Sequence, residues 1–224
     1  MKVADIKHRV KSILVKFHLY PSEKEREEKK KRDDYEYLIS HGVETEYGYV
    51  TLQGLPIISK APNSHIKIGK GVTLVSDTIY NIAGINHPCI LSTTRSGATL
   101  TIGDGSGLSG ATISCAKSVK LEGGVGIGAN VCIYDHDFHG IEPYNRCRYD
   151  NVKSSPVIIK EFAWICANST ILKGTTIGRA AVVGACSVVT SDVPELCIYA
   201  GNPSKFVKKI DVDIEKYNEM FPND

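Results

Sequence analysis

The sequence predicts a mainly β protein, a parallel β-helix that follows a helical segment and ends in a short C-terminal helix. Three observations lead to this prediction. Aliphatic residues recur every six positions in the second half, apolar residues have helical spacing in the first 20 residues, and a charge-rich stretch follows Pro21. The predicted boundaries are 1–47 for the helical segment, 48–210 for the β-helix and 211–224 for the C-terminal helical cap.

Residues 1–20 predict a basic amphipathic helix that Pro21 terminates. Lysines and an arginine lie between the apolar positions, which are Val3, Ile6, Val10, Ile13, Leu14 and Phe17. Such a helix could lie on an anionic membrane surface, or it could pack on the body of the protein or on a neighbouring subunit. A second helical stretch is predicted through the charged run to about Ser40.

The six-residue repeat is clearest from Ile159 onward. Its first positions are Ile159, Ile165, Ile171, Ile177, Val183 and Val189, and its fifth positions are Ala163, Ser169, Thr175, Ala181, Ser187 and Val193. A period of six matches neither a helix nor a simple alternating strand, and repeats this short indicate a parallel β-helix. Each repeat would form one strand and a corner, and three repeats would form one triangular coil whose first-position side chains stack inside. Earlier residues keep the period more loosely, at Ile102 and Leu108 and again at Leu121, Ile127 and Ile133.

Composition narrows the function classes. A net charge of +2 gives no general reason to bind nucleic acid. No apolar run approaches the roughly 18 residues that span a bilayer, and charges interrupt the first 20 residues, so no cleavable secretion signal is expected. The seven cysteines occur singly, without a metal-binding or disulfide framework. These features favour a cytoplasmic protein with reduced thiols, with peripheral contact to the inner face of the membrane left open.

Three stretches carry a resemblance to a known family: "IGANVCIYDHDFHGIEPYNR", "SPVIIKEFAWICANSTILKGTTIG" and "AGNPSKFVKKI". Residues 65–210 resemble the hexapeptide-repeat acyltransferases, especially the maltose and galactoside O-acetyltransferases and those of surface-polysaccharide gene clusters. The resemblance implies a left-handed β-helix, acetyl-CoA as acyl donor and a saccharide hydroxyl as acceptor. It also implies a homotrimer with active sites in the clefts between subunits.

The repeat breaks at "YDHDFHG", residues 134–140. The resemblance implies that 134–155 is an excursion loop carrying a catalytic histidine that takes the proton of the attacking hydroxyl. His139 stands seven residues before Arg146, as in the family, and is the favoured base; His136 is the second candidate. Asp137, Asp135 or Glu142 could orient the imidazole, although each could equally cap a turn of the loop.

Further site residues follow from the same resemblance. The backbone N–H of Ala167 would donate to the oxyanion, Ser109 would contact the acceptor or the acetyl group, and Trp164 would wall the cleft. Serine and tryptophan at these places could also be structural. The coenzyme A contacts implied by the resemblance are Ala185, Thr190, Ser191, Lys205 and Lys208.

Several other functions remain open from the sequence. The acceptor could be an amino sugar or an antibiotic. A γ-carbonic-anhydrase-like metal enzyme is disfavoured, because His136 and His139 have H-x2-H spacing, whereas the ligands of that family resemble H-x4-H; no metal is predicted. A non-catalytic scaffold is disfavoured because it has no need of a histidine-bearing excursion.

Overall fold

The computed structural model describes residues 21–148 and 152–221, most of which form a triangular prism of parallel strands. The predicted amphipathic helix 1–20 therefore lies outside the described residues. The chain visits three faces in a fixed order, and we name the faces A, B and C and the edges A–B, B–C and C–A. Six passes through the three faces give six coils of a parallel β-helix.

Each coil contributes one strand to each face, in the order A, B, C. The strands of the first three coils are β1 (Val43–Glu44), β2 (Val50–Gln53), β3 (Ile57–Lys60), β4 (His65–Ile68), β5 (Val72–Val75), β6 (Ile90–Thr93), β7 (Thr99–Ile102), β8 (Gly107–Ser109) and β9 (Thr112–Cys115). Those of the next three coils are β10 (Ser118–Leu121), β11 (Gly126–Ile127), β12 (Cys132–Tyr134), β13 (Val157–Ile159), β14 (Trp164–Ile165), β15 (Thr170–Ile171), β16 (Thr176–Ile177), β17 (Val182–Val183) and β18 (Val188–Val189). The chain then adds β19 (Cys197–Gly201) to face B, followed by the antiparallel β20 (Ser204–Lys209).

Ladder pairing stacks equivalent residues of successive coils. Ile127, for example, pairs with Leu108 on one side and with Ile165 on the other. All six predicted first positions from Ile159 to Val189 are completely buried, and the fifth positions are buried as well. Burial of the small fifth-position side chains explains the repeat, because the corners of the prism leave little space inside. The prediction of a parallel β-helix is confirmed.

A helix lies near each end of the described chain. Helix α1 (Glu23–Ser40) begins with a capping box between Ser22 and Glu25. It packs Leu38 into the core, and its buried Asp34 accepts a hydrogen bond of 3.1 Å from the N–H of Leu52. Helix α2 (Ile214–Met220) leads to Phe221, whose ring packs edge-on against a ring on the A–B edge, that of Phe162. Neither helix is long and apolar enough to cross a membrane.

Two excursions interrupt the prism. Residues 76–89 leave the B–C edge between β5 and β6 and include a short 3-10 helix, Thr78–Tyr80. The second excursion leaves the C–A edge between β12 and β13, and the structure describes its residues 135–148 and 152–156. The second excursion is the segment in which the sequence places the catalytic histidine.

Candidate active site

The excursion 135–156 begins at a buried carboxylate. Asp135 is fully buried and accepts backbone hydrogen bonds of 2.6–2.7 Å from three consecutive N–H groups on the C–A edge of the preceding coil, those of Ala116, Lys117 and Ser118. Its Oδ1 also lies 2.9 Å from Nδ1 of His136. Burial raises the pKa of Asp135, but the hydrogen bonds from His136 and the three amides outweigh burial and hold that pKa below its ordinary value.

The two ends of the excursion then run side by side as a short antiparallel stalk. His136 forms a bridge with Ser154, and the N–H of Asp137 donates to the carbonyl of Lys153 at 3.0 Å. The Asp137 carboxylate, predicted as a partner for a histidine, instead accepts a hydrogen bond of 2.6 Å from Nζ of Lys173 on the following coil. The stalk is therefore anchored to the coil before it and to the coil after it.

The two candidate bases have different surroundings. The ring of His136 is buried and packs against Phe138, with ring centroids 4.8 Å apart. His139 is exposed, and its Nδ1 lies 3.0 Å from the carbonyl oxygen of Arg146. A carbonyl can only accept, so Nδ1 of His139 carries the proton, and in the neutral ring the basic lone pair is on Nε2.

His139 lines a cavity of about 210 Å³ beside the stalk. The other lining residues are Asp137, Gly140, Ile141, Glu142, Asn145 and Lys153. The predicted Arg146 contributes its backbone carbonyl to the histidine, while its side chain is exposed. The excursion thus presents a histidine of defined tautomer at a polar cavity on the C–A edge.

Other predicted residues lie on face B or at its B–C edge. Ser109 ends β8, and Trp164 begins β14, where its side chain is 56% exposed and pairs in the ladder with Gly126. Ala167 follows at the B–C edge of the same coil as Trp164, and its carbonyl accepts the N–H of Cys186. These three residues and His139 thus belong to different sides of one prism.

The predicted coenzyme A residues are divided in the same way. Ala185 lies at the B–C edge of the last coil, whereas Thr190 and Ser191 lie at its C–A edge, and all three are exposed. Lys205 and Lys208 are exposed on β20, which extends face B. The described chain therefore does not bring together within one prism all the residues predicted for the cofactor.

Some residues of this region are not recognisable from the sequence pattern. Lys173 lies 36 residues after Asp137 in sequence, and Lys153 and Asn145 carry no motif of their own. A lysine at the corner of a repeat gives no signal of its partner, because the repeat specifies only which side chains point inward. Within residues 21–148 and 152–221, no group of three or more His, Cys, Asp or Glu residues is arranged to hold a metal ion.

Comparison with known proteins agrees with this architecture. Residues 156–191 match the family model described as bacterial transferase hexapeptide (six repeats). These residues carry the six-residue repeat of that family. The resemblance to this family that the sequence predicts is thereby confirmed, and the matched segment begins at the return of the excursion and covers the last regular coils.

Two curated relatives match parts of this chain. A protein of Escherichia coli K12 named as a lipopolysaccharide biosynthesis O-acetyl transferase, WbbJ, is 35% identical over 43% of this chain and 53% of its own length. The Staphylococcus aureus (strain COL) protein named as acetyltransferase SACOL2570 is 44% identical over 28% of this chain and 31% of its own length. The chain thus spans about half of the first relative and about a third of the second.

Two solved structures share the fold. The polySia specific acetyltransferase NeuO superposes with a TM-score of 0.55 at 24% identity, over 76% of this chain and 70% of its own. A variant of AntD, an N-acyltransferase from Bacillus cereus crystallised with dTDP and coenzyme A, superposes with a TM-score of 0.61 at 22% identity. The superposition covers 84% of this chain and 95% of the AntD chain. At this level of identity the likeness concerns the fold alone.

Proposed function

We propose that this chain is an acetyl-CoA-dependent acetyltransferase that acetylates a hydroxyl group of a saccharide, with His139 as the general base. The observation that carries the proposal is the His139 imidazole, held by the Arg146 carbonyl at a polar cavity outside the prism. Three comparisons support it. One relative is named as an O-acetyl transferase, one fold neighbour is a polySia specific acetyltransferase, and a second fold neighbour was crystallised with coenzyme A.

The same residues favour a homotrimer, and the family resemblance also implies a left-handed coil. His139, Thr190 and Ser191 belong to the C–A edge, whereas Trp164, Ala167 and Ala185 belong to face B and the B–C edge. A site that uses both groups would be completed when the C–A edge of one subunit lies against face B of the next. A closed ring of three such contacts uses the same interface three times.

The residues have complementary roles in this reaction. Nε2 of His139 would take the proton of the attacking hydroxyl as the oxygen bonds to the thioester carbonyl. The N–H of Ala167 would donate to the oxyanion, and the imidazolium would return the proton to the departing thiolate. Lys205 and Lys208 would meet the phosphates of coenzyme A as point charges. All seven cysteines are free thiols, which suits the cytoplasm, where we place the reaction.

His139→Ala tests the proposal. We expect kcat for acetyl transfer to a panel of neutral and anionic glycosides to fall by about 10²–10⁴-fold, with the KM for acetyl-CoA unchanged. His65→Ala is the matched control, because His65 is also exposed but lies on face A. Retention of activity in His139→Ala together with its loss in a folded His136→Ala protein would assign the base to His136.

The bond formed in the product separates O-acetylation from N-acetylation. Treatment of the acetylated product with neutral hydroxylamine should release the acetyl group from an ester and leave an amide intact. An acetyl group that resists this treatment would place the chain with the amino-sugar acyltransferases, the second candidate carried from the sequence.

A further inference from the structure

The other excursion, residues 76–89, covers a second cavity on the B–C edge. This cavity, which we call the B–C cavity, has a volume of about 270 Å³. The residues that line it include Leu55, Ser76, Asp77, Asn86 and His87. None of these residues belongs to the site described above.

Hydrogen bonds at both ends of the excursion fix it against the prism. The N–H groups of Ser76 and Asp77 both donate to the carbonyl of Gln53, at 2.6 and 2.9 Å. Gly54 permits this approach, because a Cβ at that position would lie 2.7 Å from Cβ of Asp77. At the far end, the N–H of Asn86 donates to Oδ1 of Asn130 on the B–C edge at 2.8 Å. The cavity is therefore built by hydrogen bonds at both ends of the excursion.

Its polar groups have defined hydrogen-bonding roles. Nδ1 of His87 lies 2.8 Å from the carbonyl of Pro88, so Nδ1 carries the proton and Nε2 of the neutral ring can accept a hydrogen bond. Oδ1 of Asp77 accepts the N–H of Ile79 at 3.1 Å, while Oδ2 has no hydrogen-bond partner among the described residues. Two acceptors and the Asn86 amide thus border the same space as the apolar side chains of Leu55 and Ile85.

Two residues that line the B–C cavity, Ile85 and His87, lie next to the residue that follows the predicted substrate contact Ser109. Gly110, the next residue, lies so close to the excursion that a Cβ there would be 2.8 Å from Cβ of Ile85 and 2.9 Å from the carbonyl of His87. The cavity therefore lies on the same side of the prism as Ser109, Trp164 and Ala167, the side that the proposed function presents to His139 of the next subunit.

We infer that the B–C cavity is an acceptor subsite that binds one neutral hexopyranose unit, an inference that rests on the proposed function. Sugar hydroxyls donate readily to carboxylate and imidazole acceptors, and the C–H face of the ring fits the apolar side chains. The volume lies just below the range of about 300–1,000 Å³ typical of drug-sized ligands, which suits a single ring.

The charge of the lining selects against anionic sugars. None of the described residues that line the cavity is lysine or arginine, and Asp77 contributes a negative charge. A sugar carboxylate or phosphate would enter without a cation to pair with, and Asp77 would repel it. The subsite should therefore bind uncharged glycosides in preference to sialosides.

Saturation-transfer NMR on the full-length protein without acetyl-CoA tests the subsite. The probes are methyl β-galactoside, methyl β-glucoside and the methyl glycoside of N-acetylneuraminic acid. We expect saturation transfer to at least one neutral glycoside, and an affinity at least about tenfold lower in both Asp77→Asn and His87→Leu. The sialoside should give a weaker signal than the neutral glycosides in the wild-type protein.

Asp33→Asn and His65→Leu are the matched controls, because both residues are exposed and lie away from the B–C edge. Thermal unfolding of all four variants verifies the fold. Absence of saturation transfer to neutral glycosides, or equal affinity in the cavity variants and the controls, overturns the subsite.

Acetyl transfer measured on the same proteins separates this inference from the proposed function. Glycoside acetylation with a KM that the cavity variants leave unchanged would overturn the subsite and leave the acetyltransferase standing. Glycoside binding that the cavity variants abolish, in a protein that transfers no acetyl group, would support the subsite as a sugar site and overturn the acetyltransferase.

Discussion

Asp135 is a fully buried carboxylate that accepts several hydrogen bonds. Three backbone N–H groups and the ring of His136 point at its two oxygens. Each of these donors would be left unsatisfied inside the protein if the acceptor were removed, and an unsatisfied buried group costs about 1–3 kcal/mol. The residue before His136 therefore fixes where the excursion starts, as well as stabilising the coil beneath it.

Asp135→Asn should lower the free energy of unfolding by about 2–3 kcal/mol at pH 7. The amide NH2 group of asparagine would face backbone N–H donors, and two donors cannot form a hydrogen bond. The control is Asp192→Asn, because the exposed carboxylate of Asp192 accepts one backbone hydrogen bond, from the N–H of Thr176 at 2.7 Å. That variant should lose less than about 1 kcal/mol. Urea unfolding followed by circular dichroism measures both; equal losses would contradict the account.

The difference between wild type and Asp135→Asn should also depend on pH. The folded-state pKa of Asp135 is depressed, so its stabilisation is present above the unfolded-state pKa of about 3.9 and is lost as pH falls through the folded-state value. The two unfolding free energies should therefore converge as the pH is lowered below about 4. A difference that stays constant down to the acid limit of the measurement would show that the charge of Asp135 contributes nothing.

At the scale of elements, the stalk of the excursion joins two coils through one ion pair. Lys173 and Asp137 are each about one-third exposed, so their attraction is screened and the pair serves geometry more than stability. Asp137 lies two residues before His139. Movement of the stalk would therefore displace the imidazole, and a displacement of about 1 Å can cost about 100-fold in rate.

Lys173→Met should lower kcat by about 10- to 100-fold and leave the KM for acetyl-CoA unchanged, because Lys173 acts through the position of His139. Exchange of the charges in Asp137→Lys with Lys173→Asp should restore part of kcat. Lys31→Met is the control, since Lys31 forms an ion pair with Glu28 on the surface of α1. A loss that charge exchange does not recover would mean that Lys173 has another role.

Close backbone contact between coils is a second requirement at this scale. A Cβ on Gly178, at the A–B edge, would lie 2.3 Å from the backbone nitrogen of Glu195. A Cβ on Gly123, at the same edge two coils earlier, would meet its nearest atom, the carbonyl oxygen of Asp104, at an ordinary 3.5 Å. Gly178→Ala should therefore lower the free energy of unfolding by at least about 2 kcal/mol, and Gly123→Ala by less than about 1 kcal/mol. Equal midpoints in urea would contradict this reading of coil spacing.

For the whole molecule, the sequence predicts the prism because the side chains that point into it recur every six residues. Ile165, at a first position of the repeat, and Ala181, at a fifth position, are both buried, as are the equivalent residues of the neighbouring repeats. The excursion at 135–156 is also predictable, because "YDHDFHG" interrupts that period. What a period cannot predict is the path of the chain outside it. The tie between Lys173 and Asp137 joins residues 36 positions apart, and it is set by the edge at which the stalk leaves the prism.

The same limit applies to the B–C cavity. His87 lies in "NHPC", which carries no catalytic motif, and its tautomer is determined by the carbonyl of Pro88. Its place beside Ser109 follows from the contact of the excursion with Gly110, a contact between coils that no local pattern specifies. The sequence predicts which residues could do chemistry, while the stacking of the coils decides which of them share an edge.

Division of the predicted site between two edges of one prism leads to a test of the assembly. If His139 of one subunit meets Trp164 of the next, trimers of His139→Ala and trimers of Trp164→Ala should each lack activity. When the two variants are unfolded together, mixed in equal amounts and refolded, about one site in four should contain both native residues. Activity should therefore rise to about a quarter of the wild-type value. Separately refolded variants combined after assembly are the control and should stay inactive. If the co-refolded mixture is no more active than that control, although mass spectrometry shows mixed trimers, His139 and Trp164 act within one subunit.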